Sequence, residues 1–166
     1  MLRKTWFLGS AIAFSLLLPN LSLAENPSIP APSDTPLEIE LLAQNFPLLA
    51  ERKVLTSTTI AAKGLTIPSL WWTDEQFGGK LLQDWLAYQS EGRVDLVVNR
   101  QLWTLLDYIG RYRFTNNFGT VAREYGYNSR IFNQQGILLA SYTCNFKVAQ
   151  CKIVIESAAQ NTLRSR

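Results

Sequence analysis

Apolar residues follow two different periods along the middle of the chain. Between residues 93 and 98, the apolar side chains of Val94, Leu96 and Val98 occupy every second position, which is typical of a β-strand with one buried face. After Asn99, which is predicted to cap a helix, the apolar positions change to helical spacing. One face of this helix then collects Leu102, Leu105, Leu106, Ile109 and Tyr112. Such a stripe predicts a helix that packs against the core.

A second, shorter helix is predicted directly after the first. Thr115 or Asn117 is suitable as its N-cap, and Gly126 as its C-terminal cap. Between these positions the apolar residues recur at helical spacing, at Phe118, Val121, Ala122 and Tyr125. The pattern therefore predicts two consecutive helices with a break near residues 113–117.

The period of two returns after residue 126. A polar edge strand is predicted at 127–133, a hairpin turn at 134–136, and further strands at 137–144 and 151–156. Together with the strand at 93–98, this pattern predicts an α+β fold. We expect an antiparallel meander of about four strands with amphipathic helices packed on one face.

The first half of the chain also carries helix signals. Thr73 and Gln76 form a capping box, and helical spacing of apolar residues continues to Tyr88, interrupted by Gly78–Gly79. Thr35 and Glu38 form another capping box, with Pro36 between them, and predict the start of a short helix. Residues 25–36, which lead into this helix, carry four prolines and are predicted to form an exposed linker. The segments predicted are a signal peptide at 1–24, a linker at 25–36, a helix and extended segment at 37–68, a compact domain at 69–157 and a polar tail at 158–166.

Residues 1–24 have the pattern of a secretory signal peptide. Arg3 and Lys4 give the segment a positively charged start. Residues 6–18 form an apolar core, which is shorter than the ~20 residues of a membrane-spanning helix. Ser22–Ala24 supply the small residues that precede a cleavage site. Cleavage is predicted after Ala24, and the alternative is an uncleaved membrane anchor. The sequence therefore predicts an exported protein.

The chain has an even number of cysteines, Cys144 and Cys151, as expected of an exported protein with a disulfide. In an oxidising compartment an even pair this close in sequence predicts a disulfide, and metal binding is the weaker alternative because the chain has no histidine. Of the 16 basic residues, all but Arg3 and Lys4 follow the signal, which leaves 14 against 13 acidic residues. A net charge of +1 gives no indication of nucleic-acid binding.

The absence of histidine also restricts catalysis. No Ser-His-Asp or Cys-His nucleophile can form, and the chain has no phosphate-binding or dinucleotide-binding motif. Catalysis by paired carboxylates stays open in principle, with Asp74, Glu75, Asp84, Asp95 and Asp107 as candidates. Most of these acids have a better structural explanation in helix first turns or ion pairs. We predict no catalytic residue, no cofactor and no metal.

Two groups of residues are candidates for binding a partner. Trp71 and Trp72 are adjacent, and two neighbours on a helix cannot both face the core. Arginine is abundant between residues 93 and 130, and its planar guanidinium suits carboxylate or phosphate groups. The arginines predicted to face a partner are Arg100, Arg111, Arg113 and Arg123.

The run from Thr66 to Cys144 resembles uncharacterised exported proteins of cyanobacteria, through the words TIPSLWW, RVDLVVNRQLW and FGTVAREYGYNSRIFN. The resemblance implies the periplasm or the thylakoid lumen as the compartment, and it implies no activity. The function predicted is that of a secreted, non-enzymatic binding or assembly protein, whose partner is a protein or an envelope component. The alternatives are a carboxylate-dependent enzyme that acts on glycans and a carrier of a small apolar ligand.

Overall fold

A computed structural model describes residues 28–43, 46–58, 70, 73, 75, 77 and 79–156. Six strands form one sheet in the order β1-β2-β3-β4-β5-β6, and helices accompany it, so the α+β class is confirmed. The elements are α1 (Ile39–Leu42), α2 (Phe46–Arg52), β1 (Val54–Thr56), β2 (Leu82–Tyr88), β3 (Arg93–Val98), α3 (Arg100–Leu105), α4 (Tyr108–Glu124), β4 (Asn128–Asn133), β5 (Leu138–Asn145) and β6 (Gln150–Ile155).

The sheet is mixed. Strands β1 to β3 pair antiparallel, strands β4 to β6 pair antiparallel, and β3 and β4 are parallel neighbours. Parallel neighbours need a crossover connection, which α3 and α4 supply. The predicted antiparallel meander of about four strands is therefore wrong in one pairing, and it understates the six-stranded sheet.

The strand predicted at the sheet edge lies in its middle. β4 pairs with β3 on one side and with β5 on the other, and its polar residues Ser129 and Asn133 are buried. The Asn133 side chain accepts hydrogen bonds from the backbone N–H groups of Gln135 and Ile137, at 2.9 and 3.0 Å. A polar residue in this strand thus fixes the predicted hairpin turn and does not mark a solvated edge.

The helix predicted from Thr73 to Tyr88 is wrong over its second half, where the chain forms β2. β2 lies between β1 and β3, and its side chains are buried on both faces: Trp85 joins one apolar cluster and Leu86 the other. A strand buried on both faces has no clean alternation, so its apolar residues also fit helical spacing. Leu70 and Thr73 are helical, which places Thr73 inside a helix and not at its predicted cap.

The crossover helices break earlier than predicted. Asn99 caps α3 as predicted, accepting from the N–H groups of Gln101 and Leu102. The break falls at Leu106 and Asp107, where Asp107 caps α4 by accepting from Gly110 N–H at 2.7 Å. The predicted cap Thr115 lies inside α4, where its hydroxyl donates to the carbonyl of Arg111. The chain thus forms a short helix and a long one.

Both faces of the sheet are covered. α4 packs on one face against β4, β5 and β6. It approaches β5 so closely that a Cβ atom at position 119 would collide with the Tyr142 ring, so Gly119 is needed there. On the opposite face, Leu37 and Leu41 join a second apolar cluster with Phe132. The core is therefore two layers of side chains with the sheet between them.

The N-terminal segment 28–38, called the strap below, crosses the second face. Residues 25–36 are predicted to form an exposed linker before a capped helix, and most of the described residues from 28 to 36 are exposed. The segment is nevertheless tied to the sheet, because Arg130 donates to the carbonyls of Ser33 and Thr35, at 2.8 and 2.6 Å. The predicted cap at Thr35 is wrong, because α1 begins at Ile39, directly after Glu38, and has no side-chain cap. The predicted signal peptide lies outside the described residues.

The predicted disulfide is confirmed. Cys144 of β5 and Cys151 of β6 are directly paired across the two strands and are bonded, with their Cα atoms 4.0 Å apart. The bond closes the β5–β6 hairpin at the end of the sheet near the start of β4. The sheet edge beyond β5 is thus held by both hydrogen bonds and a covalent link.

Candidate functional site

The carboxyl ends of the parallel strands β3 and β4 open into a surface groove. In sheets that contain parallel strands, ligands bind preferentially outside these carboxyl ends, where loops diverge. Asn99 follows β3 directly, and Gln134 and Gln135 follow β4. These residues line a hollow of about 610 Å³ together with Arg100, Gln101 and Thr104 of α3.

A second hollow of about 270 Å³ continues the first, because both are lined by Arg100 and Thr104. It adds Arg111 from α4 and Glu156 from the chain beyond β6. We call the two hollows the end groove. Two of the arginines predicted to bind a partner, Arg100 and Arg111, are thus brought to one site, where they face a single carboxylate.

Trp103 positions Arg111 in this groove. Its ring is buried and meets Phe114 edge-on, with ring centroids 5.9 Å apart. The Arg111 guanidinium lies 5.8 Å from the Trp103 ring centre, and its Nε donates to the Trp103 carbonyl at 3.3 Å. Trp103 is therefore a core residue that orients a cation, and it offers no open platform for a ligand.

The turn between α3 and α4 exposes large apolar side chains. Leu105 is 80% exposed, Tyr108 64%, Ile109 53% and Tyr112 42%. We call these four residues the corner patch. The sequence predicted Leu105, Ile109 and Tyr112 on a buried stripe, which is wrong because the helix break at Leu106–Asp107 directs them away from the sheet.

The remaining predicted binding residues are dispersed. Arg113 and Arg123 are exposed on α4 and line neither hollow of the end groove. Trp71 and Trp72 lie outside the described residues. The structure thus groups two of the six predicted residues, and it adds the corner patch, three of whose four residues the sequence pattern predicts to be buried.

A buried charge cluster lies under the strap, and sequence reasoning missed it. Asp95 of β3 accepts from Arg130 Nε and Nη2, at 2.8 and 2.7 Å, and from Arg93 Nη1 at 2.8 Å. Arg93 also pairs with Glu91 at 2.9 Å and stacks on Tyr88, with its guanidinium carbon 4.0 Å from the ring centre. The signal in the sequence was a pair of opposite charges, Arg93 and Asp95, at alternate positions near the start of β3.

Electrostatic effects oppose each other at Asp95. Burial raises the pKa of this carboxyl group, and the Arg93 guanidinium lowers it. The three charge-assisted hydrogen bonds favour the ionised form.

Beside the cluster, a cavity of about 380 Å³ lies between the strap and the sheet. Its lining includes Pro32 and Ser33 of the strap and Arg93 and Arg130 of the sheet.

Three of the carboxylates proposed for catalysis, those of Asp84, Asp95 and Asp107, are engaged in structural contacts. Asp84 accepts from the Ser57 hydroxyl at 2.8 Å, Asp95 is bound by two arginines, and Asp107 caps α4. Glu75 is exposed, and Asp74 lies outside the described residues. Among the residues that are described, no group of three or more Cys, Asp or Glu side chains is placed to hold a metal ion.

No known family model matches the chain. Neither the curated proteins nor the solved structures contain a match to it. In the described part of the chain, no helix combines the length and the apolar character that crossing a bilayer requires. The end groove and the corner patch are therefore the features of the chain that point to a function.

Proposed function

We propose that this protein is an exported, non-catalytic binding protein, which attaches to a component of the cell envelope or thylakoid lumen through the corner patch. The exposure of Leu105, Tyr108, Ile109 and Tyr112 carries this proposal. These side chains lie on two adjacent helix ends, and clustered exposed apolar residues mark interaction sites on soluble domains. The end groove contains Arg100 of α3 and Arg111 of α4, which belong to the same two helices as the corner patch.

The disulfide and the resemblance to exported cyanobacterial proteins support the compartment. A disulfide of this kind persists in oxidising environments such as the periplasm. The catalytic alternative has less support, because Glu156 is the only carboxylate among the described residues that line the end groove. Glycoside hydrolysis by the usual mechanism needs two carboxylates across a cleft.

Binding to a native envelope fraction tests the proposal. The processed protein, recovered after export, is mixed with isolated envelope membranes and the bound fraction is measured. We expect Leu105→Ser with Ile109→Ser to lose most of this binding, because the two changes remove apolar surface and leave the core intact. Equal binding by the wild type and this double variant would contradict the proposal.

The chain supplies a matched control at its opposite end. Phe146 is 47% exposed in the β5–β6 turn, and two lysines, Lys147 and Lys152, lie nearby in the sequence. Phe146→Ser removes a similar exposed apolar side chain and should leave envelope binding unchanged. The double variant Trp71→Ala with Trp72→Ala measures separately whether the predicted tryptophan pair contributes.

A further inference from the structure

We propose that the corner patch is a peripheral membrane-binding site, which enters the interfacial layer of a bilayer that contains anionic lipids. The inference rests on the proposed function and names the envelope component that the corner patch contacts. Leu105, Tyr108, Ile109 and Tyr112 would enter the headgroup region. The arginines around them would pair with lipid phosphate groups.

The shape and size of the patch favour a lipid surface. α3 ends at Leu105 and α4 begins at Tyr108, with two extended residues between them, so the exposed side chains project from a bend in the chain. A stable protein interface engages about 20–30 residues on each side. Four apolar side chains at a helix corner are few for such an interface, whereas a small apolar face is enough for shallow insertion between headgroups.

The chemistry of the residues points the same way. Tyrosine is enriched at membrane–water interfaces because its ring is apolar and its hydroxyl is polar, and Tyr108 and Tyr112 lie one helical turn apart. Between residues 99 and 113 the chain has Arg100, Arg111 and Arg113 against Asp107. This gives a charge of +2 along the segment, or +1 when Glu156, which lines the end groove with Arg100 and Arg111, is included. The remaining positive charge attracts an anionic surface.

The arginines lie close to the apolar residues. Arg113 is four residues after Ile109 and Arg111 is three after Tyr108, so each lies one turn from a residue of the corner patch. Arg111 is held by Trp103, which limits the conformational entropy that its side chain loses on binding a phosphate. The apolar and cationic groups are therefore arranged for simultaneous contact with acyl chains and headgroups.

Flotation with lipid vesicles tests this inference. The processed, exported protein is mixed with vesicles of equal parts phosphatidylcholine and phosphatidylglycerol, or with vesicles of phosphatidylcholine alone. We expect binding to the mixed vesicles, weaker binding to phosphatidylcholine alone, and a decrease as sodium chloride is raised, because salt screens the arginines. An increase in the fluorescence of an environment-sensitive dye attached at Leu105→Cys would report insertion.

Variants separate the two contributions. Leu105→Ser with Ile109→Ser should weaken vesicle binding by at least about tenfold, through lost apolar burial. Arg113→Gln should weaken binding to the mixed vesicles by about fivefold and change binding to phosphatidylcholine alone very little. Phe146 is the control, because it is also an exposed apolar residue near two positive charges, those of Lys147 and Lys152. Phe146→Ser should therefore bind the vesicles as the wild type does. Thermal unfolding of each variant confirms that it is folded.

Three outcomes would overturn the inference. If the protein did not bind the mixed vesicles but bound native envelope membranes through the corner patch, its partner would be an envelope protein and not lipid. The lipid inference would then be wrong, and the proposed function would stand. Vesicle binding lost in Phe146→Ser but retained in the corner variant would move the site to the β5–β6 turn. If the corner variant matched the wild type on both vesicles and envelope membranes, the lipid inference and the proposed function would both be wrong.

Discussion

At the scale of single residues, the clearest structural role belongs to Arg130. Its guanidinium donates to both oxygens of Asp95 and to two carbonyls of the strap. Five N–H donors in one plane make this possible, whereas the ammonium group of lysine has three donors around one point. Arg130 is fully buried, so each of these contacts replaces a hydrogen bond to water that the guanidinium loses on folding.

We expect Arg130→Ala to lower the free energy of unfolding by about 3–5 kcal/mol, because it leaves Asp95 buried with one partner fewer. Asp95→Ala should have a similar effect, since it leaves two buried guanidiniums without their shared carboxylate. Urea denaturation measures both. Replacing the pair together, as Arg130→Met with Asp95→Leu, should cost less than the sum of the single changes.

Arg113→Ala is the matched control for this cluster, because Arg113 is an exposed arginine of α4. It should change stability by less than about 0.5 kcal/mol. A loss at Arg130→Ala no larger than that at Arg113→Ala would show that the buried cluster contributes nothing beyond an ordinary surface arginine.

At the scale of elements, the position of the helix break decides which residues face solvent. A continuous helix from Asn99 would place Leu105, Ile109 and Tyr112 on one stripe. The break at Leu106–Asp107 instead gives α4 its own buried face, which includes Phe114, Phe118 and Ala122. The corner patch is thus a consequence of one helix cap.

We expect Asp107→Ala to lower the free energy of unfolding by about 1 kcal/mol, because the N–H of Gly110 loses its side-chain acceptor. Asp107→Asn keeps a side-chain oxygen and should lose much less, so it controls for the loss of charge. Thermal unfolding distinguishes the two variants. Equal losses in both would mean that the charge of Asp107, and not its hydrogen bond, stabilises the start of α4.

Local signals were predictable from the sequence, and non-local ones were not. The Asn99 cap, the turn at 134–136 and the disulfide each depend on residues close together in the chain. The helix wrongly assigned over β2 shows the limit, because burial of that strand on both faces comes from partners in β1 and β3. The same holds for the end groove, which needs the parallel pairing of β3 with β4.

At the scale of the molecule, the two ends of the sheet have different roles. The end groove and the corner patch lie where β3 and β4 finish, and the Cys144–Cys151 bond lies at the other end, beside the start of β4. Stabilisation and proposed binding are therefore separated along the strands. Because β5 and β6 are also paired by backbone hydrogen bonds from Ala140–Ile155 to Asn145–Gln150, we expect the disulfide to act mainly by restricting the unfolded chain.

We expect Cys144→Ser with Cys151→Ser to lower the free energy of unfolding by about 2–3 kcal/mol, the entropy effect of closing a short loop. Binding at the corner patch should stay as in the wild type, since the change lies at the opposite end of the sheet. Urea denaturation measures the first effect, and binding to envelope membranes the second. The oxidised wild type treated with a reductant should match the serine variant in both, which controls for the hydroxyl groups introduced. Loss of binding together with stability would instead mean that the disulfide and the corner patch are coupled through the sheet.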